Sequence, residues 1–575
     1  MFISVVPVKR TPYGVDCFDY KIGHEAGDVR VGDLIQVPFR NRQTPALVIS
    51  TSEHSEFAAK TINLNKINLI FNLPAVIVPF LYCEAQRAFS SKPSVLLSWM
   101  RTVPKRQHEK LTPTPLNHLR NGSDIATYAI NRFEKIRRYT ESSNGRVLIL
   151  TPWKNRATSI AHHLSAPFLH ADLNDTAAWK TWTEFVATKK STLVATRLGA
   201  WLSIFADTVI IDEPENDDFK QDELSPRLDA RQLVESAKEY RTNLQIIKVG
   251  TTCRLREIEN VAAQNLPSIQ IPITYVAWNS KGRSQIEGLQ VQTLSAIENA
   301  INEKRRVIIL HPIKGETARV TCRDCAWTLT CQNCGFAVTR GQASAICGRC
   351  GQKTVLPAVC ANCKGSALAG GRTGKDRLIR NLAGIFPTNA FSVLDLKEWH
   401  NHSLAHEALV IITDLSLIGG VAEDIRRRER LILAYRRLAA AVQNAGGKML
   451  VQGDEELIET ADSWLQSDGL LKALQAEWKE RKTFKYPPAY KLIKLLIDGT
   501  AEKADELFAR LTAALPLPWE TRGPFKVAYR GKGRKERFVI HALPPTGQKE
   551  SGISLNLEAF AKEAIIDLDP IAFFM

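Results

Sequence analysis

Apolar and polar positions alternate through much of residues 1–104. In Asp33-Leu34-Ile35-Gln36-Val37, closed by Pro38, neighbouring side chains fall on opposite faces, the period of a half-buried strand. Gly and Pro punctuate the region, so a β-rich unit is predicted. A polar, proline-bearing stretch from Val103 to Pro115, basic between Lys105 and Lys110, reads as a linker. From Gly145 the pattern changes. Val147-Leu148-Ile149-Leu150, Thr192-Leu193-Val194-Ala195, Thr208-Val209-Ile210-Ile211 and Leu244-Gln245-Ile246-Ile247 are short apolar runs separated by helical segments. That rhythm predicts an α/β unit built on a buried parallel sheet. It resumes at Arg306-Val307-Ile308-Ile309-Leu310 and returns at Ala408-Leu409-Val410-Ile411-Ile412 after an interruption. From about Glu480 the chain reads as a compact α+β unit. The expected division is 1–104, a linker at 105–144, 145–270, 271–480 with an insertion at 322–363, and 481–575.

The most apolar window, Ile67 to Cys83, contains Asn68, Asn72, Pro74 and Pro79 and is too short and interrupted to span a bilayer. The opening MFISVVPVKR is broken by Pro7 and lacks a small-residue cleavage site, so no signal peptide is read. A cytoplasmic protein with no membrane partner is expected. The 575 residues are too many for one core, which predicts roughly three to five domains. Hydrophobic content of 44% and charged content of 24% are globular values. The formal net charge of +16 attracts polyanions, and nucleic acid is the natural partner; the blander reading is a basic enzyme.

Eight of the 11 cysteines lie between Cys322 and Cys363, as four C-x-x-C pairs. A two-residue gap lets both sulfurs of a pair face one metal, and two pairs complete a four-thiolate zinc site. In a reducing compartment such pairs read as metal ligands rather than disulfides. Twelve residues separate Cys334 from Cys347, enough for a hairpin, whereas five separate Cys325 from Cys331. These lengths favour a nested arrangement, with Cys331, Cys334, Cys347 and Cys350 on an inner zinc. Cys322, Cys325, Cys360 and Cys363 then hold an outer zinc; sequential pairing is the alternative. An iron–sulfur cluster or a catalytic zinc is disfavoured by regular pairs with no histidine between them. Cys17, Cys83 and Cys253 are scattered and read as small core residues.

Thr208 to Glu213 has the form of a Walker B element, a strand followed by Asp212-Glu213, whose Asp would hold Mg²⁺ and whose Glu would polarise water. An acidic turn at a strand end is the competing reading. The partner phosphate loop, G-x-x-x-x-G-K-[ST], is missing. Gly374-Lys375, Gly447-Lys448 and Gly531-Lys532 lack the upstream Gly and the following Ser or Thr. The segment expected to carry the loop, Arg120-Asn121-Gly122-Ser123-Asp124, has no lysine. ATP and Mg²⁺ are therefore not expected as cofactors.

Together these features resemble the primosomal replication-restart family, PriA (primosomal protein N′). Phe18-Asp19-Tyr20, Gly32 and Val37-Pro38-Phe39 are similar to the family's DNA 3′-end-binding domain. Asp212-Glu213 with Phe219-Lys220-Gln221, Pro226-Arg227 and Ala230-Arg231 resembles its Walker B element and following loop. Ala195-Thr196-Arg197 and Gly250-Thr251-Thr252 sit where helicase motifs would. The eight-cysteine spacing, Gly371 and Gly374 with Phe386-Pro387, Glu480-Arg481, Tyr486-Pro487-Pro488 and Gly523-Pro524 continue the match. The resemblance implies two degenerate RecA-like helicase lobes at 145–270 and 271–480, a nested two-zinc module and a C-terminal DNA-binding domain. Departures are the missing phosphate loop and Pro214-Glu215 in place of Glu-His. Asn444-Ala445-Gly446-Gly447-Lys448 stands where an arginine finger is expected, and little room is left for a winged-helix domain.

The implied function is recognition of stalled or branched forks with a 3′ end and help in reloading the replicative helicase, by an ATPase-deficient pseudo-helicase. Implied partners are single-stranded DNA-binding protein, other primosome proteins and the replicative helicase or its loader. An active ATP-dependent 3′–5′ helicase with a divergent phosphate loop is the alternative, and a zinc-ribbon protein bound to RNA or the transcription machinery is a third. Expected DNA contacts are Asp19 and Tyr20, by resemblance, and the basic run Lys526, Arg530, Lys532, Arg534, Lys535 and Arg537 interleaved with Phe525, Tyr529 and Phe538. Its other reading is a solvated hairpin. Arg426-Arg427-Arg428, Arg430 and Arg436-Arg437 lie on a predicted helix and read equally as a solvated face paired with Glu423, Asp424 and Glu429. Trp327 beside a zinc knuckle reads as packing.

Overall fold

The computed structural model describes the chain apart from residues 24–27, 57–60, 101–122, 223–224, 279–281, 283, 314–319, 323–324, 326, 333–337, 341–343, 348–351, 367, 371–372, 401, 403, 421–423, 528–535, 549 and 572–575. The N-terminal alternation folds into strands β1 (Phe2–Pro7), β2 (Phe18–Ile22), β3 (Asp33–Phe39), β4 (Arg42–Ser52), β5 (Ile62–Leu64) and β6 (Asn68–Asn72). They form one sheet in the order β5-β2-β1-β4-β3-β6. Arg40 and Asn41, at φ 48° and 60°, make the tight turn that joins β3 to β4. One face packs Ile3, Val5, Val37 and Val48 together. The other, with Val6, Leu34, Leu47 and Phe71, belongs to a core shared with the first α/β unit.

The apolar window at Ile67 to Cys83 divides at Pro74 into β6 and helix α1 (Ile77–Arg87), and α2 (Lys92–Met100) comes next. These helices carry the core forward: Phe80 stacks on Trp99 at 5.1 Å, and Trp99 lies parallel to Trp201 at 6.1 Å. Large aromatic rings thus join the N-terminal sheet to the first α/β unit.

That unit runs β7 (Ile125–Tyr128), α3 (Arg132–Ser142), β8 (Arg146–Leu150), α4 (Lys154–Leu164), β9 (Phe168–Leu169), α5 (Asp175–Ala187), β10 (Ser191–Ala195), β11 (Thr208–Asp212), α6 (Ala230–Tyr240) and β12 (Gln245–Gly250). Its parallel sheet has the order β7-β12-β11-β8-β10-β9. β7 and α3 lie inside the segment read as linker. The four residues of β7 carry too little apolar pattern to stand out, and become a strand by pairing with β12, Ile125 opposite Ile247. Most of the remaining expected linker, with Lys105 to Lys110, lies outside the described residues.

The second α/β unit begins with β13 (Ile273–Ala277), α7 (Val291–Asn302) and β14 (Val307–Leu310). The cysteine-rich excursion comes next, with β15 (Val320–Cys322), β16 (Val338–Arg340), β17 (Ala345–Cys347), β18 (Lys353–Thr354) and β19 (Leu368–Gly370). The chain then returns through α8 (Lys375–Ala383), β20 (Phe391–Leu394), α9 (Leu396–Trp399), β21 (Leu409–Ile412), α10 (Arg427–Asn444), β22 (Lys448–Gly453), α11 (Glu455–Ser463) and α12 (Ser467–Thr483). Its parallel sheet is ordered β13-β22-β21-β14-β20. The C-terminal strands β23 (Ile493–Gly499), β24 (Glu520–Val527), β25 (Glu536–Leu543) and β26 (Ile565–Asp567) form an antiparallel sheet, β24-β25-β23-β26, with α13 (Ala501–Ala514) and α14 (Glu550–Leu557). Among the described residues no helix is long and apolar enough to cross a membrane.

Candidate functional sites

Antiparallel pairing of β15 with β19 sets Cys322 opposite Leu368 and brings the two ends of the cysteine excursion together. Two knuckles meet there. The Cys322 N–H donates to Trp327 O at 2.7 Å, and Lys364, at φ 61°, donates back to Cys360 O at 3.0 Å. The sulfurs of Cys322, Cys325, Cys360 and Cys363 lie within 4.8 Å of one another, with Cys322–Cys363 and Cys325–Cys360 both at 3.6 Å. Tetrahedral zinc with Zn–S bonds of about 2.3 Å requires S···S separations of about 3.8 Å, so the four thiols fit a structural zinc. The Asn362 side chain hydrogen-bonds the Cys325 sulfur and brings its thiol down to about 6. Gly365 N–H hydrogen-bonds Cys363, yet the Cys322 and Cys325 sulfurs push that thiol up to about 12. Crowded sulfurs that resist joint ionisation are what a divalent cation relieves. Of the inner set, Cys331 and Cys347 are buried in one small core, and Cys347 pairs with Val338 across β16 and β17. Cys334 and Cys350 lie outside the described residues. Half-buried Trp327 supplies a backbone acceptor to the outer knuckle.

Asp212 ends β11, and Glu213 follows it, at the edge where parallel sheets present ligand sites. The turn leaving β7 on that edge has three residues, 129–131, before α3 begins at Arg132. It lies downstream of Arg120 to Asp124, the segment expected to carry a phosphate loop, and Arg120, Asn121 and Gly122 lie outside the described residues. Asn131 caps α3 by accepting from Glu134 N at 3.3 Å, which sets the start of the helix and aims Arg132 at the strand ends. Arg132 Nε donates to Asp212 Oδ1 at 2.7 Å, and its other arm bonds Glu213. Arg156, in the first turn of α4, donates from Nε to Asp212 Oδ2 at 2.8 Å. Both oxygens of a fully buried carboxylate are thus taken by guanidinium groups. Burial opposes ionisation of Asp212, but Arg156 and Arg132 together hold its carboxyl below the usual range. Asp212 is accordingly an arginine acceptor in this structure.

Arg132, Arg156 and Glu213 line a cleft of about 490 Å³ between the two α/β units, with Asp212 buried beneath them. Trp153 stacks on His400 across it, 3.8 Å between centroids and 12° between planes. Burial, then the Arg437 charge, brings His400 down to about 4. Glu215, two residues beyond the acidic pair, is buried with one oxygen unpartnered, and burial followed by Glu213 repulsion pushes it up to about 7. Arg426, at the N-cap of α10, and Arg430 within it face the same junction. Arg426 and Arg430 each reach Asp217 at 3.0 Å. Arg436 is fully buried and donates to Trp464 O at 2.8 Å and Leu465 O at 3.0 Å. Pairing with Glu429 and Asp424 occurs, but as part of a contact between units rather than a solvated face. Glu423 lies outside the described residues.

In the N-terminal sheet, Asp19 is half-buried and accepts from Ser4 Oγ at 2.5 Å and Ser55 Oγ at 2.6 Å. Tyr20, expected beside it as a DNA contact, is instead core, with its hydroxyl donating to Pro38 O at 2.8 Å. Adjacent strand residues point to opposite faces, so the two cannot share one surface. In the C-terminal hairpin, Lys526 pairs with Glu536 and Arg537 with Asp498. Phe525 is exposed and Phe538 buried. Tyr529, Arg530, Lys532, Arg534 and Lys535 lie outside the described residues, as does Gly371. Arg132, Arg156 and Asp217 were not legible in the sequence; their only local signal is the Asn-Arg that opens α3.

Residues 5–80 match the family of the PriA 3′DNA-binding domain (3′BD). The replication restart protein PriA of Thermotoga maritima is 25% identical over 267 residues, 44% of this chain and 36% of that protein. The Synechocystis protein of the same name is 22% identical over 501 residues, covering 74% of this chain and 59% of the relative. That of Rickettsia conorii is 21% identical over 573 residues, 84% and 85% of the two chains. The chain thus spans less than two thirds of the length of the first two relatives. A crystal structure of the PRRSV nsp10 helicase aligns over 79% of this chain and 72% of that one, but at 7% identity and a TM-score of 0.17, too slight to bear on the fold.

Proposed function

The chain belongs to the PriA family of replication restart proteins, and on that premise we propose that it recognises branched DNA carrying a 3′ end and supports restart without hydrolysing ATP. The observation that carries this reading is the pair of arginines on Asp212. Phosphoryl transfer depends on a cradle for the phosphates and a carboxylate free to hold the metal. Here a three-residue turn replaces the cradle, and the chain's own cations occupy the carboxylate. The two parallel sheets are then degenerate RecA-like lobes, the first starting at β7, that present DNA-binding surfaces rather than drive movement.

Asp19 is placed at the 3′ end, and Arg530, Lys532, Arg534 and Lys535 on phosphates. The cysteine excursion holds two structural zincs in this reading, the outer on Cys322, Cys325, Cys360 and Cys363. The inner zinc is on Cys331, Cys334, Cys347 and Cys350, and the buried Cys331 and Cys347 support it. Other primosome proteins, single-stranded DNA-binding protein and the replicative helicase or its loader are the proposed partners. The cleft between the units is large enough to keep an ATP-driven 3′–5′ helicase as the second reading.

DNA-stimulated ATP turnover on a synthetic fork separates the two. We expect turnover no higher than in Asp212→Asn. Robust turnover abolished by Asp212→Asn overturns the first reading. Equal affinity for a fork with a free 3′ end and for blunt duplex overturns both.

A further inference from the structure

The segment after the acidic pair, Asn216 to Lys220, touches every unit that meets at the cleft. Asn216 Nδ2 donates to Glu213 Oε2 at 3.1 Å, tying the segment to the arginine-held carboxylates. Asp217 then accepts from Arg426, the N-cap of α10, and from Arg430 within that helix, each at 3.0 Å. Arg430 also donates to the backbone oxygen of Ile571 in the C-terminal unit. Asp218 accepts from the indole of Trp153 at 2.6 Å, and that ring is the one stacked on His400 of the second unit. Lys220, buried, donates to Asp567 Oδ1 on β26 at 2.8 Å. Lys494 of β23 and Arg227 add charge to the same buried cluster. This short segment of the first α/β unit is therefore bonded to the second α/β unit and to the C-terminal unit, mostly through desolvated charge.

In a two-lobed machine driven by a ligand, binding between the lobes shifts them between open and closed arrangements. Here Asp217, Asp218 and Lys220 have partners from the chain itself. We propose that Asp217, with Arg426 and Arg430, is a built-in latch that holds both α/β units and the C-terminal unit in one closed arrangement without nucleotide. The inference rests on the reading of the cleft as free of nucleotide chemistry. It adds that DNA meets a preset surface rather than one assembled by ATP. Burial opposes ionisation of Asp217, but Arg426 and Arg430 hold its carboxyl far below the usual range, so the latch stays charged across the physiological range.

Hydrogen exchange on the full chain, read at the first two turns of α10 and at β26, tests this. The wild type is expected to exchange equally with and without a non-hydrolysable ATP analogue plus Mg²⁺. Asp217→Lys is expected to exchange roughly tenfold faster at both places, since one partner of a largely buried ion pair becomes a repelling charge. Asp217→Asn, which keeps the shape, is expected to show a smaller rise at the same peptides and guards against a Lys variant that fails to fold. Arg428→Ala, an exposed arginine of the same helix, is expected to leave them unchanged. Nucleotide-dependent exchange at α10 in the wild type overturns the latch, as does unchanged exchange in both Asp217 variants. ATP turnover with nucleotide-independent exchange would overturn the reading of the cleft and leave the latch standing.

Discussion

The cysteine cluster and the Asp212 cleft are both sets of converging ligand atoms, and they have opposite fates. At Cys322, Cys325, Cys360 and Cys363, four sulfurs face one another at metal spacing, and their acidities are mutually frustrated. At Asp212 and Glu213, the carboxylates are already satisfied by Arg132 and Arg156. A motif's letters do not report whether its atoms are free. Thiols crowded at metal spacing are relieved by a metal, whereas carboxylates held by guanidiniums are already charge-compensated.

The largest expected effect tests the first half of that contrast. Cys360→Ser should cost one zinc per chain by elemental analysis. It should also open the excursion to proteolysis, since a structural zinc in a small module contributes on the order of 10 kcal/mol to its folding. Unchanged zinc content would put the metal elsewhere and remove the contrast. Next is Arg132→Ala, which leaves Asp212 and Glu213 buried with one cation fewer. It should destabilise the fold by about 3 kcal/mol in denaturant unfolding, the scale for breaking a buried pair. Removing the charge as well, in Arg132→Ala with Asp212→Asn, should recover part of that loss. A double variant as unstable as the sum of the two singles would mean that packing, not charge, is the arginine's contribution.

The smallest effect concerns pH. Glu215 is raised from 4.5 to about 7 by burial and by Glu213, so the native state holds its proton where the unfolded chain has lost it. Stability from this group is present below the unfolded value and is lost as pH rises from there through 7. The swing between pH 5 and 8 should be about 2.5 kcal/mol and absent in Glu215→Gln. A Glu215→Gln protein with the wild-type stability profile between pH 5 and 8 would assign the dependence to other groups.

Elements whose pattern is local were legible. The run Thr208 to Ile211 became β11 and Val147 to Leu150 lies in β8, because apolar runs of that length bury themselves in any α/β context. The outer cysteine set was legible because ligand spacing is written in the chain. β7 was not, since its four residues depend on β12 for their identity. Tyr20 was misplaced because a motif match ignored the two-residue period of the strand that carries it.

The sequence by itself determined the main alternation of strands and helices, the four convergent sulfurs and the absence of a G-x-x-x-x-G-K-[ST] motif. Each of these is a matter of composition and short-range spacing. Only the tertiary structure decided which groups meet the acidic pair at the end of β11. Arg132 is 80 residues from Asp212, Arg156 is 56, and Arg430 is 213 from Asp217. Ion pairs carry no directional code along the chain, so the partner of a charge is chosen when sheets and helices pack.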